Sequence, residues 1–237
     1  MLNETFYLDG VDAKTVGIVL QNPIQFSEPV PVFESDQISG RNGDLVYYDG
    51  NYENRSAVAE CYALDKDVFE KISEINKFLL SKKGYRRLIS SADPDHFWLA
   101  VVQNGSAINH RANLLNPFEI EFDCKPQRFR IDGENAVVFS ENGVLENPYG
   151  FPASPLVKVS GNGSGTINIG AYRVDILSVD ENGIILDSDT MNAYNVNGNQ
   201  NNKIKASEFP VLVDGENAIA FDGGISGVEI IPRWWEL

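Results

Sequence analysis

The sequence is poor in the residue types that most catalytic and metal sites require. Its 237 residues include only two histidines and two cysteines. A serine triad needs a histidine base beside a nucleophile turn, and no Gly-x-Ser-x-Gly segment accompanies His96 or His110. Cys61 and Cys124 lack the paired spacing of a zinc site or a disulfide framework, so we predict two buried free thiols. The sequence therefore predicts no enzyme, no metal site and no cofactor, with a Cys–His pair formed by folding as the remaining catalytic alternative.

Long apolar runs and an excess of basic charge are also absent. No apolar stretch approaches the roughly 20 residues needed to span a bilayer. Residues 1–10 lack the basic and apolar regions of a signal peptide. The net charge of −15 argues against binding nucleic acid or an anionic membrane through a basic face. Residues 1–130 hold 19 acids and 14 bases, whereas residues 131–237 hold 15 acids and 5 bases.

The chain does contain a tyrosine-rich segment, residues 38–62, with two strong turn signals. Asn42-Gly43 and Asp49-Gly50 tolerate positive φ at little cost, so each predicts a tight turn. Residues 45–48 and 56–62 predict the strands of a projecting hairpin. Tyr and Arg are enriched at protein–protein interfaces, so this hairpin is a candidate contact surface. An ordinary surface hairpin is the alternative.

The rest of the first half predicts strands with one helix. Residues 5–8 and 17–20, with a turn at Asp9-Gly10, predict a first hairpin, and the proline-rich residues 21–34 predict an extended segment or an edge strand. Residues 65–83 predict a helix that packs on a sheet, with Asp65 as its cap and a single apolar stripe. Strands are expected at residues 85–90 and 97–102, with a loop at 93–95 between them, and at 118–124, where apolar and acidic residues alternate.

The second half shows no helical period. Glycines and prolines in residues 132–155 predict a junction between domains. Short strands separated by Asn-Gly and Asp-Gly turns follow, as is typical of a β-sandwich. The glycine-rich residues 161–165 and the asparagine-rich residues 195–202 are expected to be loops. The predicted fold is mainly β, with an N-terminal α+β domain over residues 1–130 and a β-sandwich over residues 131–237.

Several sequence segments resemble one protein family. The run Ser-Gly-Arg-Asn-Gly-Asp at residues 39–44, followed by Tyr-Glu-Asn-Arg at 52–55, resembles the signature of the distal tail proteins of siphophages and prophages. Residues 147–165 resemble the start of that family's second domain. Residues 209–219, with the ending Pro-Arg-Trp-Trp-Glu-Leu at 232–237, resemble its close. These segments follow the family's order and span nearly the whole chain.

The resemblance implies a structural role in the virion. It implies a hexameric ring that joins the tail tube to the tail tip or baseplate and leaves an open channel through which DNA passes without specific binding. The first domains would form the annulus, and galectin-like second domains would face outward. The implied partners are other copies of the chain, a tail tube protein, a tail-associated tip protein and receptor-binding or other baseplate proteins. Assembly would take place in the cytoplasm of the bacterial host.

The candidate site residues follow from the hairpin and from the end of the chain. The predicted subunit contacts are Arg41, Asp44, Tyr47, Tyr48, Tyr52 and Arg55. Trp234 and Trp235 are predicted domain-packing residues, because neighbours in a strand point to opposite faces. A carbohydrate-binding module or receptor-binding accessory is one alternative function, and a cell-wall hydrolase is another. Galectin-type sugar binding requires a histidine, and residues 131–237 contain none.

Overall fold

The computed structural model describes residues 4–64, 68–104 and 115–237. The chain divides into two compact units, residues 1–128 with Leu237 and residues 129–236. Each unit has its own cluster of buried apolar side chains. In the described part of the chain, no helix is long and apolar enough to cross a membrane.

The described residues of the first unit form ten strands and the α-helix α1 (Val68–Leu80). The strands are β1 (Phe6–Leu8), β2 (Val11–Asp12), β3 (Ile18–Leu20), β4 (Gln25–Phe26), β5 (Pro31–Asp36), β6 (Leu45–Tyr52), β7 (Arg55–Leu64), β8 (Arg86–Ser90), β9 (Asp93–Val102) and β10 (Leu115–Cys124). Seven of them form a sheet in the order β2-β1-β8-β9-β10-β7-β3, and β4 also pairs with β7. Strands β5 and β6 form a separate two-stranded sheet.

Strand β7 is antiparallel to β10 along its whole length. Its buried positions carry small side chains, whereas the facing positions of β10 carry large ones: Ala57 lies opposite Phe122, and Ala59 opposite Ile120. Small residues opposite large ones let the side chains fill the core without a void. The predicted alternation on β10 is confirmed, because its apolar residues from Phe118 onward are buried.

Helix α1 packs its apolar stripe on this core, as the sequence predicts. Ile75 and Leu79 are fully buried in the core cluster. Arg86, which no sequence pattern pointed to, caps the C-terminal end of the helix. Its Nη1 donates hydrogen bonds to the backbone carbonyls of Phe78 (2.7 Å) and Leu79 (3.0 Å), which have no partner within the helix. The predicted cap, Asp65, lies outside the described residues.

Two connections in the first unit differ from the prediction. Asp9 and Gly10 both have positive φ, as in a two-residue hairpin turn, but they join β1 to β2 and not to residues 17–20. Instead β3 pairs with β7, where its buried Ile18 and Leu20 join the core. Residues 93–95, expected to form a loop, belong to β9.

The remaining residues form eleven further strands. They are β11 (Arg128–Arg130), β12 (Val137–Phe139), β13 (Gly143–Asn147), β14 (Leu156–Ile169), β15 (Tyr172–Val179), β16 (Ile184–Asp187), β17 (Asn192–Asn195), β18 (Gly198–Asn199), β19 (Ile204–Ala206), β20 (Gly215–Ile231) and β21 (Trp235–Glu236). Strands β14 and β20 pair with each other in both of their halves. The first half of β14 also pairs with β16, and its second half with β15. Both halves bury apolar residues in one cluster, so the sheet folds into two layers around a single core.

The glycine-rich residues 161–165 are not a loop, so that prediction is wrong. They lie inside β14, where its register with β20 shifts. A Cβ atom at Gly161 would overlap the carbonyl oxygen of Gly224, and one at Gly165 would overlap that of Asp222. These glycines let two backbones approach closely where the sheet bends, which is a role of glycine inside strands. The Asp-Gly dipeptide at Asp222 likewise lies inside β20 rather than in a turn.

The predicted junction and the predicted asparagine-rich loop both contain short strands. Within residues 132–155, strands β12 and β13 pair with opposite halves of β20. Residues 195–202 are ordered by side-chain hydrogen bonds that a sequence pattern does not reveal. Asn201 Oδ1 accepts from the backbone amide of Ala193 (2.6 Å), and Gln200 Nε2 donates to Asn195 Oδ1 (3.1 Å).

We predict that Gly161→Ala destabilises the protein by about 2 kcal/mol or more, since its methyl group collides with backbone rather than with a mobile side chain. Ser164→Ala, an exposed change in the same strand, is the control and should stay within about 0.5 kcal/mol. Urea unfolding of both variants measures the difference. Equal stabilities would show that the sheet accommodates a side chain at this bend.

Candidate assembly surface

The tyrosine-rich segment forms a ribbon, but with a different partner strand from the one predicted. Strand β6 pairs with β5, and β7 belongs to the main sheet. We call residues 31–52, which comprise β5, β6 and the turn between them, the arm. Gly40 and Gly43 take positive φ within that turn, at 83° and 79°. The turn predicted at Asn42-Gly43 is therefore in place, whereas the prediction that β6 pairs with β7 is wrong.

The second predicted turn, Asp49-Gly50, is an irregularity inside β6. Pro31 lies opposite Tyr52, and Phe33 lies opposite Tyr48, so β6 has two more residues than β5 in this interval. Gly50 has a φ of 77°, which suits the extra residues of a bulge. A dipeptide that favours a turn can also accommodate a bulge, since both need positive φ.

The arm contributes no residue to either core cluster. Five of its large apolar side chains are between 42% and 67% exposed, namely Phe33, Ile38, Val46, Tyr47 and Tyr48, and the others are half-buried. The rings of Phe33 and Tyr48 lie 5.7 Å apart across the two strands. A two-stranded ribbon without packing on a third element is at best marginally stable in water. Exposed aromatic residues and unpaired strand edges are also features that favour docking on another chain.

The six predicted contact residues separate into two groups. Five of them lie on the arm: Arg41, Asp44, Tyr47, Tyr48 and Tyr52. All but Tyr52, which is half-buried, are exposed. Arg55 instead begins β7, and only 9% of its surface is exposed. Its guanidinium carbon lies 5.4 Å from the centre of the Phe26 ring. Within a single chain, Arg55 therefore lies where the arm joins the main sheet, which we call the root of the arm, and not on the arm's exposed surface.

Further residues hold the root of the arm to the sheet. The side-chain amide of Asn54 donates to the hydroxyl of Tyr85 (3.1 Å) and to Asp123 Oδ2 (3.0 Å). On the entering side, Phe26 of β4 stacks on Trp98, with ring centres 4.1 Å apart. Asn54 lies within residues 52–55, which resemble the family signature, so the sequence contained a signal for it. No sequence pattern pointed to Phe26 or Trp98.

Trp234 and Trp235 make their described contacts inside the second unit. Trp234 is 7% exposed, and its ring lies 6.1 Å from that of Tyr149. Trp235 stacks on Phe151 at 4.6 Å and donates from Nε1 to the carbonyl of Pro152 (2.9 Å). Their role in packing the two domains stays a prediction.

The cysteines are free and buried, as predicted. Burial raises the pKa of the Cys61 and Cys124 thiols to about 12, so both stay protonated at neutral pH and are poor nucleophiles. His96 lies against Asp93 (2.6 Å) and Arg128 (3.4 Å). His110 falls outside the described residues. Among the described residues, no three His, Cys, Asp or Glu side chains gather as a metal site.

Comparison with known proteins identifies the first unit. The family of phage tail protein RIFT-related domains matches residues 11–124. This part of the chain is therefore similar to the phage tail protein RIFT-related domains. This match confirms the prediction of a structural phage tail protein, and thus of a virion component, rather than an enzyme. The RIFT-related domain includes the whole arm and its root.

A solved structure shares the fold of both units. The SPP1 Dit (gp 19.1) protein, reported as a paradigm of the hub adsorption apparatus in phages that infect Gram-positive bacteria, superposes with a TM-score of 0.73 at 12% identity. The alignment covers 96% of this chain and 97% of that one. The predicted mainly β fold with one helix is thereby confirmed. Among curated proteins, no sequence matches this one.

The positions of the tryptophans lead to a prediction about sugar binding. A galactoside would need an open tryptophan face to stack on, but Trp234 is buried and Phe151 stacks on Trp235. We expect calorimetry of the full chain with galactosides to show no binding, with Trp235→Ala giving the same result. Reproducible galactoside affinity that disappears in Trp234→Ala or Trp235→Ala would show instead that a tryptophan of this pair binds sugar.

Proposed function

We propose that this chain is the distal tail protein of a siphophage or prophage, a hexameric ring that joins the tail tube to the tail tip or baseplate. The observation that carries the proposal is the arm, an exposed ribbon that projects from a phage tail domain and packs on neither core. Support for the location at a hub comes from the likeness of the whole fold to SPP1 Dit.

The arm supplies the contact that a ring needs. A ring forms when one surface of a subunit binds a different surface of the next and the rotation closes on itself. The arm offers two unpaired strand edges and a set of exposed aromatic side chains, which can extend a neighbour's sheet and bury apolar area. Arg41, Asp44, Tyr47, Tyr48 and Tyr52 are the proposed contact residues on this surface.

The two domains have different roles in the proposed ring. Residues 1–130 form the annulus through their arms, and residues 131–237 form galectin-like sandwiches that face outward and meet other baseplate proteins. The acidic balance of the chain, with 34 acids and 19 bases, suits a channel through which DNA passes, because the lumen repels phosphates. The proposed partners are a tail tube protein on one face of the ring and a tail-associated tip protein on the other.

The first test is the mass of the chain in solution. We expect light scattering across a concentration series to approach six times the 26.2 kDa of one chain. Intermediate masses that rise with concentration would also support self-association. A chain that stays strictly monomeric at every concentration would contradict closure of the ring without other tail proteins.

A triple variant tests the arm itself. Replacing Tyr47, Tyr48 and Tyr52 by serine removes aromatic contact area from a ribbon that packs on neither core. We expect monomers with an unchanged circular dichroism spectrum, since substitutions at such sites usually change stability by only about 0.5 kcal/mol each. The control replaces three exposed valines of the second unit by serine, namely Val138, Val144 and Val213. If the tyrosine variant assembles as the control does, the contact lies elsewhere.

A further inference from the structure

The root of the arm contains a largely buried cation that forms no salt bridge with the described residues. Only 9% of the surface of Arg55 is exposed. Among the described residues, its Nε–H has no hydrogen-bond acceptor and its guanidinium forms no salt bridge. Arginine carries five N–H donors, and a buried guanidinium is normally satisfied by carboxylate or carbonyl oxygens. Burial also lowers the pKa of Arg55, which indicates that its charged form is destabilised by desolvation.

A second unsatisfied donor lies in the same place. A cavity of about 410 Å³ is lined by residues that include Arg55 and Trp98. The indole Nε1–H of Trp98 is buried and, like the Nε–H of Arg55, has no acceptor among the described residues. Both residues line this cavity, although neither nitrogen has accessible surface, so a ligand in the cavity would reach Arg55 through the rest of its guanidinium.

The acids near this cavity do not supply that acceptor. Asp93 is engaged by His96, with Oδ1 and Nδ1 2.6 Å apart, and by Arg128 at 3.7 Å. Glu28 is exposed, and its charge raises the pKa of Arg55, but no salt bridge joins the two side chains. Neither Asp93 nor Glu28 forms a salt bridge with Arg55, so the cavity has room for a carboxylate from another chain.

The arm has the complementary chemistry. It carries four acids against one base, Arg41, and all four acids are exposed: Glu34, Asp36, Asp44 and Asp49. Among the described residues, none of these four acids forms a salt bridge. A carboxylate pairs well with arginine, since the two planar groups can share two hydrogen bonds.

From these observations we infer that Arg55 is a carboxylate-binding site, and that its ligand is an acidic side chain on the arm of a second copy of this chain. The inference rests on the proposed ring, because the arm of each subunit fills the root cavity of the next. It gives a role to an arginine whose burial costs desolvation energy in the single chain. Arg55 thus becomes a contact residue only in the assembly.

Mixing two variants tests the direction of this contact. Arg55→Met removes the cation from the cavity and leaves the arm intact. The arm variant removes the four negative charges of the arm and leaves the cavity intact; it combines Glu34→Gln, Asp36→Asn, Asp44→Asn and Asp49→Asn. We expect each variant alone to lose self-association by at least tenfold in sedimentation experiments. An equal mixture should form dimers and nothing larger, because one functional arm meets one functional cavity. Wild-type association by either variant alone, or a mixture that stays monomeric, would overturn the inference.

Two controls separate binding from folding. Arg55→Met should melt no lower than the wild type, since methionine can still pack on Phe26 and the charge it removes forms no salt bridge with the described residues. Arg173→Met removes the same charge from an exposed position of the second unit and should associate as the wild type does. A lower melting temperature for Arg55→Met, with association lost, would indicate a structural role.

A titration with acetate tests the site independently of the ring. Acetate at constant ionic strength should shift the Nε–Hε resonance of Arg55 in the wild-type chain, whereas chloride should not. No shift would overturn the carboxylate site, even if the chain forms hexamers. A shift together with normal assembly of Arg55→Met would overturn the second copy as the source of the carboxylate. A monomeric wild type that responds to acetate would count against the ring in solution, while supporting the site.

Discussion

The organisation of the first unit depends on the pairing of β7 along both of its edges. On one side, β10 pairs with it over ten residues, and on the other side β3 and β4 share its length. Because β4 lies beside the start of β7, the chain between them must leave the sheet and return at almost the same point. Residues 31–52 therefore emerge as a ribbon whose two ends are fixed. The arm is a consequence of the sheet's register.

The arm and its root show features that a lone, stability-optimised domain would avoid. Exposed aromatic residues, unpaired strand edges and a desolvated arginine all cost free energy in a single chain. Several of these features cluster on the arm, and the arginine lies where the arm joins the main sheet. Such a cluster is understandable in a tail component, since contacts in the assembly can supply the missing burial and the missing counter-ion.

Sequence reasoning found the assembly segment but not its strand pairing. The tyrosines and the Asn42-Gly43 turn marked the right residues, because aromatic enrichment and positive φ are local properties. The prolines of residues 21–34 left irregular chain and an edge strand as alternatives, and the structure shows a strand from Pro31 onward, where proline at the start loses no ladder hydrogen bond. Asp49-Gly50 predicted a turn and forms a bulge, since the same dihedral angles serve both.

The sequence by itself determined the periodicities: the alternation of β10, the apolar stripe of α1, the strand-rich second half and the buried thiols. These features follow from the spacing of side chains along one element, which requires no knowledge of distant residues. Tertiary structure alone decided that residues 161–165 bend a strand, that Arg55 is buried while Tyr48 is exposed, and that Trp98 shares a cavity with Arg55. Each of these depends on which distant backbone lies alongside, and a linear pattern does not encode that choice.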